Sequence, residues 1–260
     1  MQTISDPFAG YARFYDLDYA GVDDDLFMIR QFAARCGSPI LELACGTGRV
    51  LLPLAREGYE VVGVDVSPAM LAVAQEKVAR EGLEGRVALV EQDMRELNLA
   101  RRFALAFVAL NSFCHLLDID EQLAVLGGVH RHLEPGGLLI LDLFNPNLAR
   151  LLEMGGQVIL DKIMAGPESG RQVMKLSSQR ADLAEQIIHV TLLVDEVDGE
   201  GVVQRTLFPF DMRYLFRFEL ELLLRHAGFE LEAIYGSYDL DEFQAESERM
   251  IAVARRPERT

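Results

Sequence analysis

Cysteine is scarce in this 260-residue chain, where Cys36, Cys45 and Cys114 are the whole complement. So small and odd a number cannot build a disulfide framework. Positive charge is short as well. There are 25 Lys and Arg against 41 Asp and Glu, a net charge of −16, with no basic tail or stripe to concentrate the cations. Such a surface is repelled by phosphate backbones and anionic membranes, so no nucleic acid and no membrane partner is expected. No apolar run reaches the length of a membrane span, and the first residues do not read as a basic-then-apolar export signal. The expectation is a reduced, cytoplasmic protein. Nor is a metal expected. No Cys, His and carboxylate cluster has zinc-site spacing, and no phosphate-binding loop with its following Lys is present.

What the chain has in abundance is apolar residues, 50% of the total, enough for a substantial core. They fall in a regular rhythm. An apolar run at 39–44 is followed by a helical pattern at 49–57, a strand at 59–66, and a helix at 68–81 with Ser67 as N-cap, Pro68 first and Gly82 just past its end. Further strands follow at 86–93 and 102–110, then a helix at 118–133 closed by Pro135-Gly136-Gly137, and a fifth strand at 138–144. Short Val/Leu/Ile strands alternating with helices predict a doubly wound α/β domain whose parallel sheet is covered on both faces. From about 155 the pattern changes to four successive strands over 158–164, 171–180, 185–197 and 202–213, an antiparallel block. A helix at 215–227 and strands at 229–236 and 250–256 close the chain. The expected organisation is an N-terminal segment at 1–36, a core at 37–148, an inserted block at 155–213 and a C-terminal completion of the core at 214–260.

The first strand ends in ILELACGTGRV, with Gly46 and Gly48 in the turn that enters the next helix. Lacking a Cβ, both let a ligand approach backbone N–H groups at a helix start, beyond the carboxyl ends of the strands where ligands of open parallel sheets sit. A dinucleotide fingerprint wants a third glycine three residues on, and Leu51 stands there. Asp65, 17 residues beyond Gly48 at the end of the second strand, suits a carboxylate that receives a ribose diol, although it could instead cap the next helix. Glu42, inside an apolar strand, would be costly without a partner.

Taken together, Glu42, Gly46-Thr47-Gly48, Asp65 and Gln92-Asp93-Met94 resemble the class I S-adenosylmethionine-dependent methyltransferases over residues 35–145. The pattern of helix, Ala-Gly-Phe and strand over 213–236 is a looser likeness. The resemblance implies a seven-stranded, mostly parallel sheet with the last strand antiparallel, and S-adenosylmethionine as cofactor. It further implies that Ala44 to Gly48 cradle the cofactor's amino-acid end, which Glu42 steadies or meets at its amino group. Asp65 would take the ribose hydroxyls, and Asp93 the adenine amino group with Met94 against the ring. Asn111 would line the cofactor after the fourth strand. The inserted block would cover or flank the acceptor site.

Several residues are candidates for the acceptor side. Tyr11, Arg13 and Tyr15 lie in an aromatic N-terminal stretch that suits a lid over the cofactor, or equally a helix packed on the sheet. Ser112, Phe113 and His115 follow the fourth strand, Asn145 the fifth, and Arg213 and Tyr214 close the inserted block. His115 alone among the histidines is placed for proton transfer. Cys45, inside the turn, reads as a small tolerated residue rather than a nucleophile. The sequence points to a methyltransferase acting at nitrogen or oxygen of a small molecule. Its rivals are a nicotinamide-dependent oxidoreductase and a non-catalytic S-adenosylmethionine-binding protein.

Overall fold

The computed structural model describes residues 6, 8–166 and 171–258. Two helices lead in, α1 (Ala12–Asp18) and α2 (Asp24–Cys36). The alternation then runs β1 (Ile40–Leu43), α3 (Leu51–Arg56), β2 (Val61–Asp65), α4 (Pro68–Glu81), β3 (Val87–Glu91), β4 (Phe103–Val108), α5 (Ile119–His132) and β5 (Leu133–Phe144). A short α6 (Leu148–Glu153) leads to β6 (Gly155–Ala165), β7 (Gln172–Asp182), β8 (Ile187–Val197) and β9 (Val203–Arg213). The chain ends with α7 (Arg217–His226), β10 (Glu230–Tyr235) and β11 (Arg249–Arg255).

The seven-stranded sheet has the order β10-β11-β5-β4-β1-β2-β3, and only β11 runs antiparallel to its neighbours. Strand order reverses at β1, between β4 and β2, so the carboxyl end of β1 opens the crevice where a ligand of such a sheet binds. The periodicity places α4 to the residue. Its N-cap Ser67 accepts from the Met70 amide at 3.2 Å, Pro68 takes the first position, and Gly82 ends it with φ +66°. Most other boundaries shift by one to three residues, and one differs in kind. Pro135-Gly136-Gly137 does not separate α5 from a strand beginning at 138. Instead β5 starts at Leu133 opposite Phe103, and the next pairing is Leu138 with Leu105. The proline and glycines are absorbed as an irregularity inside the strand, where such residues are tolerated.

Both faces of the sheet carry a dry core. Leu41, Val62, Val108, Leu139 and Ala252 face α5 and α7, while Ile40, Val61, Leu105, Ile140 and Val253 face α2 and α3. Strands β6 to β9 form a separate antiparallel meander. Its inner face packs on α1 through Met164, Val173, Val194 and Phe208 against Tyr11 and Phe14. The inserted block thus stands on the N-terminal segment.

Candidate active site

The switch point is built by strained backbone. Ala44, at the end of β1, has φ +54°, and Leu110 and Asn111, after β4, have φ +49° and +65°. These non-glycine residues hold left-handed conformations that their side chains disfavour, a cost that clusters at functional edges. Gly46 (φ +54°) and Gly48 (φ +83°) complete the turn without that cost.

Asp65 holds the turn from β2. Its carboxylate accepts from the Gly46 amide at 2.7 Å and the Ser67 amide at 2.9 Å. Burial raises its pKa and the two amides oppose the rise. The capping reading of Asp65 is met, and the same carboxylate ties the glycine turn to the start of α4. Leu51 is accommodated from across the interface. It is wholly buried, and a Cβ on Gly63 of β2 would lie 2.6 Å from it and 2.7 Å from the Cys45 sulfur. The close helix–strand approach is supplied by a glycine in the strand instead of one in the helix. Cys45 itself is buried, and burial, reinforced by Glu42 and Asp65, keeps its thiol neutral. It is no nucleophile.

Glu42 is 3% exposed, and its Oε2 has no hydrogen-bond partner. Burial pushes its pKa well above the carboxylate range, opposed by the Arg49 guanidinium. Arg49 pairs bidentately with fully buried Asp25 of α2, donates to the Val22 carbonyl at 2.9 Å, and keeps a buried Nε–H without a partner. The turn therefore carries one orphaned acceptor and one orphaned donor. Each costs stability unless a ligand meets it. Such a pair matches a zwitterionic amino-acid group, ammonium toward Glu42 and carboxylate toward Arg49.

The N-terminal segment closes over this turn. The Tyr15 ring lies 3.8 Å from where a Cβ of Gly46 would be, and stacks on Tyr19 with centroids 4.6 Å apart. Asp16 accepts from the Thr47 hydroxyl at 2.6 Å and pairs with Lys77 at 2.5 Å. Asp93 follows β3, beside Asp65 through the Gln92 amide on the Asp65 carbonyl. It caps the short turn at Met94–Glu96, and Arg95 folds back onto its carboxylate, lowering its pKa against burial. Met94 packs half-buried against the core.

The structure brings Tyr15, Glu42, Ala44, Gly46, Gly48, Asp65, Asp93 and Met94 to one sheet edge. It gives other candidates structural work. The Asn111 side-chain oxygen accepts from the Phe144 amide at 2.7 Å and from Arg249 at 3.2 Å, so what Asn111 offers the crevice is its backbone turn. Phe113 is completely buried in the main core and Tyr214 is 2% exposed against Leu151 and Ile188, which corrects their expected place in an acceptor pocket. Asn145 donates to the carbonyls of Ala245 and Ser247, and Arg213 to that of Leu117. Tyr11 is 5% exposed and donates to Asp18, while Arg13 reaches Glu196 of β8. His115 packs against Phe8 (centroid 5.5 Å) and Phe210 (5.3 Å), which also touch each other, and burial lowers its pKa against a hydrogen bond to the Asp211 backbone.

Sequence reasoning missed Asp142, Arg249 and Tyr238. Asp142, buried in β5, accepts from Arg249, the Leu110 amide at 2.9 Å and the Tyr238 hydroxyl at 3.1 Å. The signal was available, since a carboxylate inside LLILDLF carries the same penalty as Glu42 in its strand.

Comparison with known proteins decides the family. A methyltransferase-domain model matches residues 40–137. The cypemycin N-terminal methyltransferase of a Streptomyces species is 33% identical over 220 residues, covering 85% of this chain and 84% of that one. The chain belongs to the class I S-adenosylmethionine-dependent methyltransferases. The solved structure of the CcbJ methyltransferase from Streptomyces caelestis is 30% identical, covers 90% of both chains and superposes with a TM-score of 0.77. An S-adenosylmethionine-dependent methyltransferase from Clostridium acetobutylicum shares the fold at 23% identity, with a TM-score of 0.79 over 96% of this chain and 99% of that one. This methyltransferase uses S-adenosylmethionine, and the orphaned Glu42 oxygen and Arg49 nitrogen fit that cofactor's amino-acid end. The nicotinamide reading falls with the same comparisons. In the described residues no helix is long and apolar enough to cross a membrane, and no group of three or more His, Cys, Asp or Glu could hold a metal ion.

Proposed function

We propose that this methyltransferase transfers a methyl group to an amine nitrogen of a small molecule. The observation that carries the reading is the setting of His115. Packed against Phe8 and Phe210 with a lowered pKa, it is held as a neutral residue. A neutral amine attacks a sulfonium methyl in line without a base, whereas a hydroxyl benefits from one. An amine acceptor also agrees with the name of its relative, the cypemycin N-terminal methyltransferase.

In this reading Glu42 and Arg49 hold the cofactor's amino-acid end, Asp65 its ribose and Asp93 its adenine, with Tyr15 closing over the turn. S-adenosylmethionine supplies an electrophilic methyl group. The chain's own work is alignment and exclusion of water. The rings of Phe8 and Phe210 pack against each other and against His115, an aromatic cluster suited to neighbour an amine that gains methyl groups and charge. The test is a paired screen of primary and secondary amines against alcohols of matched size, following S-adenosylhomocysteine release. Turnover confined to amines is expected, and turnover confined to alcohols would overturn the proposal.

A further inference from the structure

A second cavity, of about 430 Å³, lies between α5 and α7, beside the start of β8 and the end of β9. Its volume falls within the roughly 300–1,000 Å³ of small-molecule sites. None of its lining residues belongs to the cofactor edge formed by Glu42, Gly46, Asp65 and Asp93. Leu123, Leu215 and Leu223 give it an apolar body, and Ile119 and Leu222, 60% and 66% exposed, leave it open to solvent on one side. Its polar walls are pinned. The Gln122 Nε2 donates to the Leu116 carbonyl at 3.1 Å, Arg213 donates to the Leu117 carbonyl, and the Gln186 Nε2 donates to the Glu219 carboxylate at 3.1 Å. Glu219 also accepts from the Phe216 amide at 2.7 Å. A recess held in this way is preformed, as binding sites usually are. One polar atom of the wall is unmatched. Gln122 is 0% exposed, and with its Nε2 spent on Leu116 its Oε1 has no hydrogen-bond partner among the described residues. Buried acceptors are almost always paired, so a lone one in the wall of a cavity points to a group that meets it there.

We propose that this cavity is a second binding site, separate from the cofactor crevice, and that it takes a compact, uncharged, mostly apolar molecule carrying a hydroxyl group. The leucines receive the apolar body. The hydroxyl donates to the Gln122 Oε1, which a pure hydrocarbon would leave unmet at a cost in free energy. Arg213 and Glu219 stand in the same wall with opposite charge, so the recess favours neither a cation nor an anion, and either would lose its hydration among leucines. A hydroxyl both donates and accepts, which suits a wall that offers an amide oxygen and a guanidinium together.

Titration of the full chain with p-cresol and with toluene, followed by nuclear magnetic resonance with S-adenosylhomocysteine saturating, tests this independently of which acceptor is methylated. The two probes are nearly the same shape and differ by one hydroxyl. p-Cresol is expected to bind roughly tenfold more tightly than toluene, the worth of one hydrogen bond to a buried acceptor. Gln122→Met keeps the length of the side chain and removes the acceptor, and should equalise the two dissociation constants. Leu123→Trp fills the recess and should abolish saturable binding of both probes, with circular dichroism and S-adenosylhomocysteine affinity unchanged. If the tryptophan impairs folding, Gln122→Met decides the matter. p-Cresol binding no tighter than toluene, or a preference for p-cresol that survives Gln122→Met, overturns the proposal. The first result would leave the Gln122 oxygen to solvent, and the second would place the phenol elsewhere on the chain.

Discussion

Arg249, at the start of β11, and Asp142, in the middle of the sheet edge on β5, form a buried ion pair directly behind the Leu110–Asn111 turn. The Asp142 side chain is 1% exposed and that of Arg249 15%. The pair also engages the Leu110 amide, the Asn111 side chain and Tyr238, whose ring lies 5.3 Å from the guanidinium carbon. Removing one partner strands the other charge in the dry sheet edge. Arg249→Met is expected to lower unfolding free energy by about 3–5 kcal/mol, measured by urea denaturation. The double variant R249M/D142L should recover much of that loss, because no unpaired charge remains.

Asp65 bonds two amides at the carboxyl end of β2. Asp65→Ala removes the acceptor that shapes the Gly46 turn. The loss of a charged hydrogen bond of about 1.5–3 kcal/mol corresponds to roughly 10–100-fold weaker cofactor binding. Calorimetry with S-adenosylhomocysteine measures it directly, and affinity within twofold of wild type would refute the placement of the ribose there.

Glu42 links binding to pH. Its folded pKa is raised, so its contribution to stability is fully present below the usual carboxylate value of 4.5 and is lost as pH rises through the higher folded value. At neutral pH the cofactor-free protein therefore carries Glu42 as a destabilising buried acid. Glu42→Gln is expected to raise the thermal midpoint of the cofactor-free protein at pH 7.5, with the advantage closing as pH falls toward 4.5. The same substitution should weaken S-adenosylhomocysteine binding. Thermal scans across pH, with and without the ligand, separate the two effects.

His115 packs on rings, so a ring of similar size should replace it. His115→Phe is expected to lose far less turnover than the ~100-fold that removal of a general base costs, with an unshifted acid limb of the kcat profile. His115→Ala, which leaves a gap beside Phe8 and Phe210, should raise KM more than it lowers kcat. A 100-fold fall in kcat for the Phe variant would restore the imidazole as a base.

The order of elements was legible because period, caps and turn glycines agree locally, as at Ser67, Pro68 and Gly82. The cofactor edge was legible because its residues sit at fixed distances along the chain from strand ends. The acceptor side was not. Phe113 and Tyr214 follow strands just as site residues do, yet their rings point into cores that only the tertiary arrangement creates. Leu51 rightly marked the departure from a dinucleotide fingerprint, but the way the fold accommodates it was not legible. The space it needs is provided by Gly63, a partner that no local spacing announces. Arg249 and Asp142 are 107 positions apart, and the antiparallel placement of β11 alone makes them neighbours.

Helix α1 is only seven residues long, and its two aspartates point to opposite sides. Asp16 grips Thr47 and Lys77 at the glycine turn, whereas Asp18 holds Lys175 of the inserted sheet at 2.6 Å. The helix is a strut with a foot on each body. The anchorage of the four-stranded sheet and that of the Gly46 loop therefore lie two residues apart on one short helix, so loss of α1 would release both together.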